Sequence, residues 1–316
     1  MLRGLSTVTL GHERAHTNEE HPVTRAGTTT SRQKNQELPW QPSSPPGPGE
    51  ILVRVQACGL NDVEYALSTG AMSQLSAQGA PYTCGMSAAG TVIAAGDRVT
   101  RFAVGDEAFG HFPAGSWAWT PAPCARTTAD GPHIERPPER LDPLSAVALA
   151  QSGLTARTIV RAAALRPGQT ALVIGASSRT GAALVAQLAE TGVHVIAGAT
   201  PDDDDRVRAL GAADTIECTV ADALASYPDV DLLVDLVSFR EPYFITAAAR
   251  GGTIVTGLPR ADGPGIPRIG ISPEPGDLAA LARRAIDDRR PADLTHVHRL
   301  EKPDPAAQPL LAVGGP

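Results

Sequence analysis

The chain has 316 residues, a formal net charge of −7 at pH 7, 42% hydrophobic residues and 19% charged residues. This length exceeds what one hydrophobic core usually supports, so two domains are expected. The acidic balance, the 4% aromatic share and the lack of a Lys/Arg cluster argue against nucleic-acid partners.

The sequence also argues against a membrane or an oxidising environment. No apolar run reaches the roughly 20 residues that a transmembrane helix needs, and no charged N-terminal region precedes an apolar one. The four cysteines lack Cys-x-x-Cys spacing, which predicts small buried residues in a reducing compartment. A cytoplasmic protein that binds a small-molecule substrate is therefore expected.

The first part of the chain is predicted to be an irregular segment followed by a mainly β domain. Residues 1–38 show little periodicity. Residues 51–56 alternate β-branched and polar side chains, which predicts a strand, and a short helix is expected at 61–68. Between residues 85 and 110 glycines recur at short, irregular intervals, which is typical of a compact β-barrel-like region with tight turns.

Beyond about residue 151 strands and helices alternate, which predicts a parallel sheet. A helix is expected to end at Arg166-Pro-Gly168. Further strands are predicted at 170–174, 193–197, 231–237 and 252–256, and helices at 181–191, 203–210 and 244–249. A last helix is expected at 277–288 and a strand at 296–300, whereas residues 303–316 are Pro-rich and predict no final strand.

A loop bounded by glycines joins the first strand of this alternation to its first helix. It reads Gly175-Ala-Ser-Ser-Arg-Thr-Gly181. Backbone N–H groups at the start of such a helix can bind a pyrophosphate, and the two glycines allow the tight turn and the close packing that this requires. Glycines also occur in purely structural turns, so the prediction of a nucleotide-binding loop depends on the strand–helix units around it. The predicted cofactor-binding residues here are Gly175, Ser177, Ser178, Arg179, Thr180 and Gly181.

Several segments together resemble the medium-chain dehydrogenase/reductase superfamily. They are, in order, Pro48-Gly-Glu-Ile-Leu-Val-Arg-Val, Cys58-Gly-Leu-Asn61, Gly90-Thr-Val with Phe102-Ala-Val-Gly-Asp106, Gly153-Leu-Thr-Ala156, Arg166-Pro-Gly168 and the strand–loop–helix at 170–189. They span about residues 45–300 and are most similar to the zinc-free quinone oxidoreductase and enoyl-reductase branch. The resemblance implies an α/β fold with a GroES-like β-barrel domain and a Rossmann domain built on a doubly wound parallel sheet.

The patterns and the resemblance together define the expected domain limits. The irregular segment is 1–38, the GroES-like substrate domain comprises 39–150 and 270–316, and the Rossmann dinucleotide-binding domain is 151–269. The resemblance places the active site in the cleft between the two domains. It also implies a homodimer.

The chemistry that the resemblance implies is NAD(P)H-dependent, zinc-independent reduction of an enone, a quinone or a related small carbonyl compound. Asn61 is expected beside the nicotinamide or the carbonyl, although it could instead cap its helix. Tyr65 could donate a proton to the enolate, although it could equally be a core residue. The remaining residues expected to contact the cofactor are Thr155, which could instead cap its helix, and Thr200, Val237 and Gly257.

No metal site is expected. Zinc-dependent members of the superfamily carry His and Glu ligands where this chain reads Gly85-Met-Ser87. The histidines show no metal-ligand spacing and are predicted to be surface or strand residues. They include His111, His133, His194, His296 and His298.

The sequence departs from the branch in two places, and these departures leave undecided whether a cofactor binds and whether it is NADP or NAD. Ser178 and Arg179 stand where the branch has glycines; either side chain could obstruct a pyrophosphate, and Arg179 could instead pair with it. The strand before Thr200 lacks the acidic residue that binds an NAD ribose, which favours NADP (NADPH) over NAD. However, Asp202-Asp-Asp-Asp205 would repel a 2′-phosphate, unless this run is only a solvated helix start.

These departures define the alternative function. The chain could be a redox-inactive descendant that binds no cofactor and uses the cleft for a cofactor-independent elimination or cyclisation in a biosynthetic pathway, or for ligand binding alone.

Overall fold

The computed structural model describes residues 45–60, 86–112, 117–118, 124–217, 230–237, 253–256, 272–287, 296–299 and 310–313. The strands are β1 (Glu50–Leu60), β2 (Ser87–Ala95), β3 (Glu107–His111), β4 (Trp117–Ala118), β5 (Cys124–Thr128), β6 (Ile134–Glu135), β7 (Thr170–Ile174), β8 (His194–Ala199), β9 (Asp214–Glu217), β10 (Leu232–Asp235), β11 (Thr253–Thr256), β12 (His296–Arg299) and β13 (Leu310–Val313). The α-helices are α1 (Pro143–Ala148), α2 (Leu154–Ala163), α3 (Arg179–Glu190), α4 (Asp204–Ala209) and α5 (Asp277–Asp287). None of the helices in these ranges is long and apolar enough to cross a membrane.

β1 is the central strand of an eight-stranded sheet, in which it pairs with β2, β5 and β13. Ile51, Val53 and Val55 enter an apolar core, and Arg54 between them is exposed, which confirms the strand predicted from their alternation. The pairing with β2 shifts register between Val55 and Ala57. This bulge turns Ala57 toward the helices that pack on the other side of the sheet.

The last strand corrects the sequence analysis. β13 lies parallel to β1 and antiparallel to β12, so the prediction that residues 303–316 hold no strand is wrong. A run of four residues next to prolines carries little pattern, and its hydrogen-bonding partners are strands distant in sequence. The strand predicted at 296–300 is confirmed by β12.

The second sheet is parallel, with the strand order β11-β10-β7-β8-β9, which confirms the prediction. Its central strand β7 is a continuous apolar run that is buried from Ala171 to Ile174. Helices α3 and α4 confirm two predicted helices within one or two residues, whereas β9 was not predicted. The two sheets together form the two-domain α/β fold expected from the sequence.

A bent helical path connects the two sheets. Asp142 caps α1 through its side chain, a π-helical turn occupies Leu149–Gly153, and α2 follows directly. α2 ends at Ala163, before the predicted Arg166, because Ala164 takes a left-handed conformation with a φ of +47°. Helix α5 confirms the prediction at 277–288 and packs on this path. The helices predicted at 61–68 and 244–249 lie outside the described residues, as do residues 1–38.

Candidate active site

The loop between β7 and α3 has the geometry of an anion-binding turn. Gly175 has a φ of +87°, a conformation that glycine adopts without strain. The Ser178 hydroxyl accepts a hydrogen bond from Gly181 N (3.1 Å) and donates one to the Gly175 carbonyl oxygen (2.8 Å). Ser178 is therefore the cap of α3. The backbone N–H groups of Ser177 and Thr180 donate to none of the described residues and are available to an anion.

The two glycines of this loop are required by close packing. A Cβ atom on Gly181 would lie 2.7 Å from Ala176 Cα and nearer still to the Gly175 carbonyl oxygen. A Cβ atom on Gly175 would lie 2.7 Å from Val237 Cγ1. The structure thus brings the predicted residues 175 and 177–181 together with Val237, at the carboxyl edge of the parallel sheet where Rossmann-type folds hold dinucleotides.

Asp235 is a buried carboxylate beside this loop that the sequence analysis missed. It is the last residue of β10, pairs in register with Ile174, and is 0% exposed. Its Oδ1 accepts a hydrogen bond from Val237 N (3.0 Å), so it shapes the turn that carries Val237. The sequence does hold a sign of this site: one acidic residue ends an apolar strand, where burying a charge is costly without partners.

Arg179 is the first residue of α3. Its side chain is partly buried, and the guanidinium Nη2 atom is shielded from solvent. The side chain therefore stays within the protein surface at the loop. Pairing with a pyrophosphate and obstructing one are both compatible with this position.

Asp203 is the centre of a hydrogen-bonded group at the end of β8. Its carboxylate accepts hydrogen bonds from Thr200 Oγ1 (2.9 Å) and Arg206 Nε (2.9 Å), while Arg206 Nη2 donates to the Ser177 carbonyl oxygen (2.6 Å). Burial raises the pKa of Asp203, but hydrogen bonds from Ser177, Arg206 and Thr200 outweigh it and hold this pKa below its ordinary value. An ion pair of the Asp203 carboxylate and the Arg206 guanidinium therefore lies beside the phosphate loop.

The side chains of the acidic run Asp202–Asp205 thus differ in their exposure and contacts. Asp202 and Asp205 are exposed, as a solvated helix start would be, whereas Asp203 is partly buried and linked to the loop. In the sequence the four residues form one continuous run. Nothing in the sequence separates Asp203 from its neighbours, because its partner Ser177 lies on a different strand–helix unit.

The π-helical turn links the two sheets through polar contacts. Ser87 Oγ donates a hydrogen bond to Gln151 Oε1 (3.4 Å), and Gln187 Nε2 on α3 donates to the Gly153 carbonyl oxygen (3.2 Å). Thr155 Oγ1 donates to the Gln151 carbonyl oxygen (2.8 Å) in the preceding π-helical turn. Gly153 is the N-cap of α2 and no side chain caps this helix, so the alternative role of Thr155 as a helix cap is wrong. The cofactor contact expected of Thr155 stays a prediction.

Asn61, Tyr65 and Gly257 lie outside the described residues, so their roles stay predictions as well. In sequence, Asn61 directly follows the last residue of β1. Cys58 and Cys124 are buried, which confirms the prediction for these two cysteines. Within the described ranges no group of three or more His, Cys, Asp or Glu side chains could hold a metal ion.

Comparison with known proteins supports a common origin with oxidoreductases. The alcohol dehydrogenase GroES-like domain matches residues 47–160. A probable quinone oxidoreductase of Schizosaccharomyces pombe is 32% identical over 221 residues, which cover 67% of this chain and 64% of the relative. The chain spans less than two thirds of the length of the curated relatives it matches.

Solved structures show the same fold. The quinone oxidoreductase of Coxiella burnetii has a TM-score of 0.67 at 20% sequence identity, covering 84% of this chain and 86% of that one. A mycobacterial protein solved in complex with NADPH has a TM-score of 0.61 at 20% identity, covering 81% and 85% of the two chains.

Proposed function

The chain belongs to the medium-chain dehydrogenase/reductase superfamily, in its quinone oxidoreductase-like branch, and from this premise we propose that it reduces an enone, a quinone or a related small carbonyl compound with NADPH or NADH. A reduced nicotinamide supplies a hydride when bound. The protein itself has to bind the dinucleotide, orient the carbonyl compound and exclude water.

The phosphate loop carries this proposal. Ser177 and Thr180 offer two backbone N–H donors at the start of a 12-residue helix, and Gly175 and Gly181 allow the tight turn and the close packing that hold these donors in place. This donor set fits a pyrophosphate, since the helix dipole adds a partial positive charge at the same place. The mycobacterial neighbour solved with NADPH supports the choice of a nicotinamide cofactor.

The chemical step is assigned to residues named by the resemblance. Asn61 would hydrogen-bond the carbonyl, and Tyr65 would give a proton to the enolate that forms on hydride addition. We propose that no zinc takes part, because Met86 and Ser87 stand where zinc-dependent relatives carry ligands. The homodimer that the resemblance implies would form through an edge of the parallel sheet, where β9 and β11 are the outer described strands.

The second candidate is a redox-inactive descendant. Ser178 caps α3, so the features that still favour this candidate are the Asp202–Asp205 run and Arg179. The partly buried side chain of Arg179 lies in the loop where, by the resemblance, the branch has glycine. Titration of the purified protein with NADPH and NADH, followed by protein fluorescence or calorimetry, tests the proposed function directly. We expect binding, together with oxidation of the cofactor by a panel of quinones and enones.

The variant Arg179→Gly separates the two candidates. If Arg179 pairs with a pyrophosphate, the substitution removes a charge-assisted contact of about 1.5–3 kcal/mol, and cofactor affinity falls by about tenfold or more. If the side chain obstructs the loop, cofactor binding is absent from the wild type and arises in the variant. Unchanged binding in both proteins would contradict both accounts of Arg179.

The charge of Asp203 predicts how the cofactor is selected. The Asp203 carboxylate neutralises the Arg206 guanidinium, which could otherwise attract a 2′-phosphate, so it should weaken the NADPH preference expected from the sequence. Asp203→Asn is expected to raise the NADPH/NADH affinity ratio by about tenfold, which corresponds to ~1.4 kcal/mol. Asp202→Asn is the matched control, because Asp202 is exposed, and should leave the ratio unchanged. Equal effects of the two substitutions would show that the whole run acts only through long-range charge.

A further inference from the structure

The ends of three strands in the eight-stranded sheet form a row of residues that the proposed function does not use. We call it the polar row, because two of its three members have polar side chains. Gly59, Ser87 and His111 are paired in register on β1, β2 and β3, and paired residues of antiparallel strands lie on one face. The preceding row on that face is apolar and packs against the helices between the two domains. It consists of Ala57, Ala89 and Phe109. The polar row therefore lies at the end of the core between the domains.

Two side chains of this region have hydrogen-bonding capacity that the described residues leave unused. His111 Nδ1 is shielded from solvent and none of the described residues hydrogen-bonds it. Gln151 is 7% exposed, and within the described part of the chain its amide makes one hydrogen bond, in which Oε1 accepts from Ser87 Oγ. Rotating the amide would exchange its oxygen and nitrogen and would still leave one of them without a partner in the described part of the chain. A polar atom as completely shielded as His111 Nδ1 is rare without a partner, because it forfeits the hydrogen bonds of water.

Both groups are uncharged at physiological pH. Burial lowers the pKa of His111 to about 4, and the nearby His133 contributes to the shift. Between about pH 5 and 8 the ring is therefore neutral, with one N–H donor and one acceptor nitrogen. Two neutral donors suit an uncharged oxygen such as a carbonyl, whereas a carboxylate or a phosphate would have to be desolvated without a compensating charge.

We propose that His111 and Gln151 bind the carbonyl oxygen of the substrate, through the ring N–H of His111 and the amide N–H of Gln151. The proposal deepens the proposed function and rests on it for the identity of the substrate as a carbonyl compound. Two donors on one oxygen hold the ketone at the ends of β2 and β3 and stabilise negative charge that develops on it. Gln151 belongs to a π-helical turn, a distortion that recurs at functional sites, and Asn61 follows Gly59 by only two residues.

A pair of unreactive probes isolates the carbonyl contact. 1-Tetralone carries a ketone on a fused ring, and tetralin is the same ring system without oxygen, so the ratio of their affinities reports the oxygen alone. Calorimetry on the wild type should show about tenfold tighter binding of 1-tetralone, as two neutral hydrogen bonds permit. His111→Phe should reduce this ratio to about threefold or less. The control His194→Phe removes an exposed histidine of β8 and should keep the wild-type ratio.

A second variant and a stability measurement distinguish a lost carbonyl contact from a misfolded protein. Gln151→Leu should reduce the same ratio, and His111→Phe should raise the melting temperature, because an apolar ring replaces a buried polar atom that has no partner among the described residues. A wild type that binds both probes equally, or a ratio that survives in both variants, overturns the proposal. A 1-tetralone preference without any NADPH or NADH oxidation would refute the proposed function and leave the carbonyl site standing.

Discussion

Replacing Asp277 with asparagine is expected to lower the free energy of unfolding by about 3 kcal/mol. Asp277 is the first residue of α5, and its side chain is 7% exposed. Its carboxylate accepts hydrogen bonds from Arg161 Nη2 (2.7 and 2.9 Å), Arg157 Nε (3.0 Å) and Glu274 N (2.8 Å). The two arginines belong to α2, so this carboxylate joins the path between the domains to α5.

The size of the effect follows from the exposure of the partners. Arg157 and Arg161 are 43% and 33% exposed, so water can solvate them after the substitution, and the loss stays below that of a fully buried pair. Denaturant unfolding monitored by circular dichroism measures this loss in the free energy of unfolding. Asp287→Asn is the matched control on the same helix, because Asp287 is exposed, and should change stability by less than about 0.5 kcal/mol.

The same carboxylate predicts a pH dependence. Burial raises the pKa of Asp277, but hydrogen bonds from Arg161, Glu274 N and Arg157 outweigh it and keep this pKa below its ordinary value. Its stabilising effect is therefore complete above the pKa of the unfolded chain and is lost as the pH falls through the lowered folded value. The stability difference between the wild type and Asp277→Asn should be constant from about pH 5 to 8 and shrink below about pH 4. A difference that persists undiminished in acid would rule out the ionic contribution.

Gly181→Ala is expected to destabilise the protein by about 2 kcal/mol and to weaken cofactor binding by about tenfold or more. An alanine Cβ would lie 2.7 Å from Ala176 Cα, and neither α3 nor the loop can relieve this by rotating a side chain. Alanine gains about 1 kcal/mol of helix propensity over glycine, which the clash has to exceed. The displacement of α3 would also move the N–H donors of Ser177 and Thr180.

Gly49→Ala is the control for this substitution. No heavy atom lies within 4 Å of a Cβ built on Gly49, so stability and cofactor binding should both stay at the wild-type level. Unfolding measurements and cofactor titration on the two variants give the comparison. If Gly181→Ala raised stability by the helix propensity alone, the close packing of α3 on the loop would be refuted.

The parallel sheet and the phosphate loop could be predicted because their signals are local. A continuous apolar run such as 170–174 indicates a buried strand, and the glycines at 175 and 181 mark the turn and the packing of the next helix. The capping role of Ser178 has a local origin too, since its partners Gly175 and Gly181 lie three residues away on either side. From its position in the sequence Ser178 could nevertheless also be expected to obstruct a pyrophosphate, because a helix cap and an obstruction place the same residue type at the same position.

What only the tertiary structure decided depends on contacts between distant residues. The sequence alone determined the strand–helix alternation and the position of the phosphate loop, which a few neighbouring residues specify. Strand β13 exists because β1 and β12 supply its hydrogen bonds, and Asp203 differs from Asp202 because Ser177 lies beside it. Ser87 and Gln151 are 64 residues apart, and His111 joins them only through the register of β2 and β3. Hydrophobic periodicity reports which face of an element is buried, but not which polar groups meet there, because their meeting is set by strand register and by the packing of one domain on the other.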